Sequence, residues 1–524
     1  MPSHHTPRPT GFLSSSVLRG ACALAATAIA IAGGCRAPAP AATSAPEPAT
    51  LRAPLAAETF DAVWTTVRDQ HFDAGLNGVD WNAVRDELRP AAIDAASTEQ
   101  LRGVLMTMLG RLGQSHFTII PGADDSAPAA APAEESAPVA TAEAGVAPRT
   151  EVRAEVRAEV PATTGSDEPG LAGADIALVD GAATVLRVFP GRAADKAGLR
   201  AGFVIESIDG TEVESVLAPM RERIARIEAS GGSTAREART MLAVSAASLM
   251  RGDAGDTKRL AVRDGEGEVR EIDLALEAAP YGSTKFGNLP ALPVEVDSRI
   301  VELPIEGAAP AKVGVLSFNI WMTGASDAID AAVDTMRSCD GIVIDLRGNP
   351  GGVGAMSMGV AGHFLRETKS LGSMIGRSST LDFNVTPRRV SADGRRVRPY
   401  AKPLAIVLDG RSASTSEVFA GGLQDLGRAR VFGETSAGMA LPAQAVELPN
   451  GDVLMHAVAD FVTSKGTRLE GRGVVPDEAV AASRAALLAG ADPALDAAGA
   501  WIARETVEAR ARRAAAKQAE PAAP

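Results

Sequence analysis

A short apolar run, PLAIVLDG (403–410), is followed at once by a polar turn and an amphipathic stretch, RSASTSEVFAGGLQDLG (411–427). The run is short and aliphatic and reads as a buried strand. Val418, Phe419 and Leu423 then mark one face of a helix. Strand, tight turn and helix in that order place a serine hydroxyl at a helix N-terminus. Backbone N–H groups and the helix dipole favour negative charge there. Acyl transfer needs that setting: a nucleophilic oxygen beside donors that can hold the oxyanion it creates. Ser414 is the candidate nucleophile. The same residues, Ser414-Thr415-Ser416-Glu417, also spell S-x-x-E, a helix capping box. The stretch alone does not choose between cap and nucleophile.

Around it the pattern is α/β. KVGVLSFN (312–319) reads as a strand, and SDAIDAAVDTMRS (326–338) as a helix with Ile329, Val333 and Met336 on one face. GIVIDLRGNPGGVG (341–354) is an apolar strand entering a glycine-rich turn, followed by a helix through Phe364. Such alternation predicts a mostly parallel sheet with its functional loops at strand C-terminal ends. RGNPGG and RSASTSE both lie at such ends. The glycine turn lacks the G-K-[ST] ending of a phosphate cradle. Short strands and turns then close in Glu470-Gly471-Arg472-Gly473. The α/β core is assigned to 281–495 and an Ala/Arg-rich helical tail to 496–524.

Upstream, residues 51–121 form a helical domain. Phe60, Val63, Trp64 and Val67 have i, i+3, i+4, i+7 spacing, and a third helix opens with the box Ser97-x-x-Gln100. The domain ends in LGQSHFTIIP, with a Ser115-His116 pair before a short strand. Residues 122–168 are Ala, Pro, Glu, Ser and Thr, too poor in apolar bulk to offset ordering entropy, and are expected to be a disordered linker. Residues 169–280 alternate short strands with glycine turns, interrupted by a helical insertion at 211–250.

The N-terminus reads as an export signal, 1–34. Arg8 and Arg19 precede an apolar stretch, 20–34, too short to span a bilayer. It ends in Ala32-Gly33-Gly34-Cys35, similar to a bacterial lipobox, so Cys35 is the expected lipidation site, followed by a Pro/Ala tether to residue 50. Arg36, where Asp would retain a lipoprotein in the inner membrane, points to the outer membrane facing the periplasm. The formal net charge of −13 argues against a nucleic-acid partner. The six histidines show no metal-ligand spacing, and two of the three cysteines, Cys22 and Cys35, fall in the leader. No metal, cofactor or disulfide framework is expected.

With these blocks in order, the chain resembles the C-terminal-processing and tricorn-core (S41-type) serine peptidases. The resemblance rests on Ser115-His116, on D-L-R-G-N-P-G-G (345–352), on S-A-S-T-S-E (412–417), on G-E-T-S-A-G (433–438) and on E-G-R-G-V-V-P-D (470–477). Residues 170–213, with P-G-x-A-A-x-K-A-G-L (190–199) and I-x-x-I-D-G (205–210), resemble a PDZ domain of bacterial envelope proteases, except that Phe203 stands where Asp is usual. The implied fold is a multidomain α/β protein: an N-terminal helical bundle, a PDZ-like β domain and a crotonase-like α/β catalytic core.

One branch of the family uses a lysine 25 residues beyond the nucleophile; here that position is Met439. Asp425 matches that branch's accessory acid. The tricorn-like branch uses the histidine of a Ser-His pair, supported by a glutamate beyond the nucleophile, and these match Ser115, His116 and Glu470. The resemblance therefore implies a Ser414 nucleophile, a His116 base oriented by Ser115 and Glu470, and an oxyanion hole of the Thr415 N–H with Gly351 or Gly352. It implies an envelope endopeptidase acting on unfolded or C-terminal protein segments. The alternative is an inactive, peptide-binding lipoprotein of the same fold.

Overall fold

The computed structural model describes residues 53–122, 168–229, 235–284 and 291–519. The expected leader, the Cys35 lipidation site, the tether and nearly all of the expected linker lie outside the described residues. The protein is a mixed helix-and-sheet, multidomain chain.

The strand at 404–408, buried at every residue, is the fourth of six in the central sheet. The order is Val296–Ile305, Ala308–Phe318, Gly341–Asp345, Leu404–Leu408, Arg430–Gly433 and Glu478–Ala479. The first pair is antiparallel and the rest are parallel. A parallel sheet covered on both faces explains why these strands are unbroken apolar runs rather than alternating ones. Ile342, Ile344, Leu404 and Ile406 pack on Ile329 and Val333 of helix Ser326–Met336 and on Phe419 and Leu423 of helix Thr415–Asp425. Val343, Ala405 and Val407, on the opposite face, meet Ala494, Ala498 and Ile502 of helix Pro493–Ala519. The segment expected as a helical tail is thus, in its first turns, the second layer of the core. Gly341 permits the approach: a Cβ there would stand 2.3 Å from Ile502 Cγ2.

Helices Ala53–Gln70, Trp81–Ile93 and Thr98–Gly110 share one apolar cluster. Each indole N–H of Trp64 and Trp81 donates to the other residue's carbonyl, at 2.8 and 3.0 Å. Ser97 Oγ accepts the Gln100 N–H, the cap expected from the sequence. Leu441, Leu448 and Leu454, from far along the chain, complete the cluster. The following strand, Thr118–Ile120, pairs antiparallel with Val453–Met455. Arg102 forks onto Asp452 at 2.9 and 2.5 Å beside it. His456, on the same strand, is fully buried, and neither ring nitrogen has a hydrogen-bond partner among the described residues.

The third unit is an antiparallel sheet in the order Ala174–Val179, Ala182–Val188, Val204–Ile208, Thr257–Arg263 and Val269–Ala275. Helices Val213–Ala229 and Ala235–Ser248 pack against it. Arg411, in the nucleophile turn, clamps this unit to the core. Its guanidinium bonds Asp409, Asp175 and the Ile176 carbonyl. Met241 and Val244 of the second helix pack on Ala413, Ala437 and Met439, and Thr240 Oγ1 donates to Gly410 O.

Arg411→Ala leaves Asp409 without its cation and Asp175 with Arg187 alone, at 3.6 Å. It is expected to destabilise the fold by roughly 3–5 kcal/mol, with part of the loss restored by adding Asp175→Ala. Denaturant unfolding reads both; an unchanged midpoint would dismiss the clamp. Burial holds the His456 imidazole down to about 4. The unfolded ring takes its proton first, so stability is full above about pH 6.5 and falls as pH drops towards 4, by roughly 3 kcal/mol for this ring. His456→Phe should flatten unfolding free energy over that window by one proton's worth.

Candidate active site

Ser414 is the N-cap of helix Thr415–Asp425, at φ 53° and ψ −117°. A positive φ is strained for a residue with a side chain and persists only where neighbours enforce it. Here the Ser414 N–H is held by Met439 O at 2.8 Å and by Glu417 Oε2 at 3.1 Å. The Ser414 carbonyl accepts the N–H groups of Glu417 and Val418. Glu417 thus makes its half of the capping box; the Ser414 side chain faces the Glu417 N–H as the other half, but that N–H makes its hydrogen bond to the Ser414 carbonyl.

The glycine turn lies against this serine. A Cβ on Gly351, φ 102°, would stand 2.6 Å from Ser414 Cβ and 3.0 Å from Thr415 N, so only glycine fits. The Gly351 N–H, however, donates to Asn349 Oδ1 at 3.0 Å, which removes it as a free oxyanion donor. That corrects one of the two glycines expected from the sequence. The N–H groups of Gly352 and Thr415 have no protein acceptor among the described residues. Thr415 Oγ1 donates to Gly352 O at 2.8 Å, tying those two residues together. Asn349, which sequence reasoning did not single out, organises the turn. Its Nδ2 donates to Phe318 O at 2.8 Å, and its carbonyl accepts from Ala413 N and Ser416 Oγ. The available signal was an Asn-Pro step at a strand end, a turn-former. Trp321 was also missed: its Nε1–H reaches Ser416 Oγ at 2.9 Å.

On the helical unit, Ser115 Oγ lies 2.9 Å from Glu470 Oε2 and 2.7 Å from His116 Nδ1. An ionised carboxylate only accepts, so the serine proton goes to Glu470 and the serine oxygen accepts the Nδ1–H. This network assigns the tautomer and leaves Nε2 with its lone pair free. Glu470 also accepts the Ser115 N–H and the Ala440 N–H, each at 2.9 Å. Burial draws the His116 ring down to about 4, so it stays neutral well below pH 7. Burial also raises Glu470, against its bonds from Ser115 and Ala440.

The two halves meet on one short segment. Met439 O holds the Ser414 N–H, and the next residue, Ala440, donates to Glu470. No hydrogen bond joins His116 to Ser414 among the described residues. The Met439 side chain is buried against Met241 and Val244 and carries no proton to exchange. Asp425, at the far end of the helix, is engaged by Thr463 Oγ1 and the Lys465 N–H. No group of three or more metal-ligating side chains occurs among the described residues.

Two family profiles match the chain: peptidase family S41 over residues 312–480 and the tricorn protease C1 domain over residues 56–110. The chain is 28% identical over 295 residues to the chloroplastic carboxyl-terminal-processing peptidase 2 of Arabidopsis thaliana, covering 56% of this chain and 48% of that protein. It is 25% identical over 238 residues to a probable CtpA-like serine protease of Staphylococcus haemolyticus, covering 44% and 42%. The chain thus spans about half the length of the curated relatives it matches. The structure of mature CPAF complexed with lactacystin superposes with a TM-score of 0.51 at 14% identity, over 87% of this chain and 99% of that one, a likeness of fold alone. The chain is thus similar to peptidase family S41 over 312–480, to the tricorn protease C1 domain over 56–110, and to proteins named as carboxyl-terminal-processing or CtpA-like peptidases over about half their length.

Proposed function

We propose that the protein is a serine endopeptidase of the tricorn-like kind, cleaving unfolded or C-terminal segments of proteins. The observation that carries this reading is the Glu470–Ser115–His116 chain of hydrogen bonds, which shares the 439–440 segment with Ser414. His116 Nε2 takes the Ser414 proton as Oγ attacks the scissile carbonyl. The same proton passes to the leaving amine, and a water then releases the acyl group by the reverse steps. Thr415 N–H and Gly352 N–H face the oxyanion; removing such a donor typically costs ~10²–10³ in turnover. A base on one unit and a nucleophile on another make the site composite, so the two close on each other when substrate is held between them. The unit at 169–280 fits a PDZ-like role. Its strand Ala174–Val179 is the first of its sheet, but Arg411 already holds Asp175 and the Ile176 carbonyl there, so a peptide adding to that edge would have to displace the clamp.

Two observations favour the second reading, a peptide-binding protein without chemistry: the apolar Met439 packing and the absence of a His116–Ser414 hydrogen bond among the described residues. A fluorophosphonate separates the two. Labelling should occur at Ser414, disappear in His116→Ala and persist in Met439→Ala. Labelling that survives His116→Ala would sink the base assignment; no labelling and no casein cleavage by the wild type would favour the binding protein.

The proposed location is the cell envelope, by a lipid on Cys35 at the periplasmic face of the outer membrane. Among the described residues no helix is long and apolar enough to cross a membrane. Cys35→Ala should move the protein from the membrane fraction to the soluble one; a variant that stays bound would refute the anchor.

A further inference from the structure

The proposed mechanism leaves one buried charge without a task. Glu417 is fully buried, and no basic side chain is among its hydrogen-bond partners. Four donors converge on it instead. Oε2 accepts the Ser414 N–H at 3.1 Å and the Met439 N–H at 2.9 Å. Oε1 accepts the Ser436 hydroxyl at 2.6 Å and the Gly438 N–H at 2.8 Å. Ser436 Oγ itself accepts the Val474 N–H at 2.6 Å, which directs its own proton at Glu417. A carboxylate surrounded only by donors is matched to its ionised form. Protonated, it would turn an O–H onto backbone amides that cannot accept it, or onto Ser436 Oγ, whose own proton would then lose its acceptor.

We propose that the Glu417 carboxylate is a positioning strut, which holds Ser414 in its left-handed conformation and joins it to the 436–440 segment that Glu470 grips from the other side. This rests on Ser414 being the nucleophile. Met439 gives its N–H to Glu417 and its carbonyl to Ser414, and Ala440 gives its N–H to Glu470. Shifting the strut therefore shifts the serine and the relay relative to each other.

The strut is also a proton switch. The charged groups on the elements around it are Arg236, whose Nη1 bonds Ser436 O, and Glu470 beyond Ala440; Glu237, on the helix of Arg236, faces Glu470 and Arg223 and is itself raised by burial to about 7. None bonds the Glu417 carboxylate, and on its own helix Asp425 is engaged elsewhere. Burial raises Glu417 to about 7 against its four hydrogen bonds. The site is then assembled above neutrality and loosens below it, whereas His116 alone would sustain function to about 4. Stability runs the other way. A carboxyl raised in the fold stabilises it most below its ordinary value of 4.5 and loses that contribution as pH rises through about 7. Assembly and global stability are thus distinguishable by sign.

The test is the rate of fluorophosphonate labelling of Ser414 across about pH 5 to 9, with hydrogen exchange at the Gly438 and Met439 amides, corrected for intrinsic rate. Wild-type labelling should fall about tenfold one pH unit below the midpoint, with the midpoint near 7. Glu417→Gln should label more slowly, show no transition near 7 and lose protection at both amides. Ser436→Ala withdraws one donor from the anion and should move the midpoint upward, which keeps the idea testable if the glutamine variant does not fold. Labelling of Glu417→Gln at the wild-type rate and pH dependence, or an unmoved midpoint in Ser436→Ala, overturns the proposal. If the wild type never labels, the nucleophile reading has failed. The amides then decide alone: protection lost in Glu417→Gln and below pH 7 upholds the strut, and unchanged protection refutes it.

Discussion

Three backbone pairings between Thr118–Ile120 and Val453–Met455 hold the candidate site together. They cross more than 300 residues of chain, and the closure entropy of such a loop grows only slowly with its length. The pairing is reinforced by the side chains around it. Arg102 forks onto the buried Asp452, and Leu441, Leu448 and Leu454 fill the core of the three helices. The Ser115–His116 turn leaves the helical unit at that seam, which is why Glu470 can accept from both the side chain and the backbone of Ser115.

Around the nucleophile the chain accepts local strain and buried charge, and offsets both with dense bonding. Ser414 and His116 each have positive φ, uncommon for residues bearing a side chain. Arg347 pairs with Asp345 and Asp492, and Arg411 with Asp175 and Asp409, beneath the same loops. The guanidinium groups beside Asp345 keep that carboxyl far below the usual range despite its burial. Buried pairs of this kind add little net stability compared with apolar packing, but losing one partner is costly. They fix where the loops go.

Much of this was legible in the chain because it obeys local rules. The parallel strands are continuous apolar runs, the helix at 98 opens on its capping box, and the glycine turn precedes a serine at a helix start. Ser115, His116 and Glu470 came through resemblance, since nothing in residues separated by more than 350 positions reveals that they touch. Three features were not legible. Asn349 takes the Gly351 N–H because of how the turn folds on itself, not because of any pattern. The helix from Pro493 looks like a polar tail, because small alanines, Ala494 and Ala498, make up much of its buried side beside Trp501 and Ile502. Glu417 reads as an ordinary cap until the 436–439 segment wraps around it.

Met439 serves the nucleophile turn through its peptide group alone. Its N–H and carbonyl are both engaged, while its side chain points into an apolar contact. The bonds that fix the serine therefore run through the 439 peptide, whereas the side chain answers only to the apolar contact with Met241 and Val244. A basic group at 439 would leave those bonds in place but would need a polar partner in place of that contact. That separation of backbone duty from side-chain identity offers a route by which one nucleophile turn could pass between two different proton acceptors.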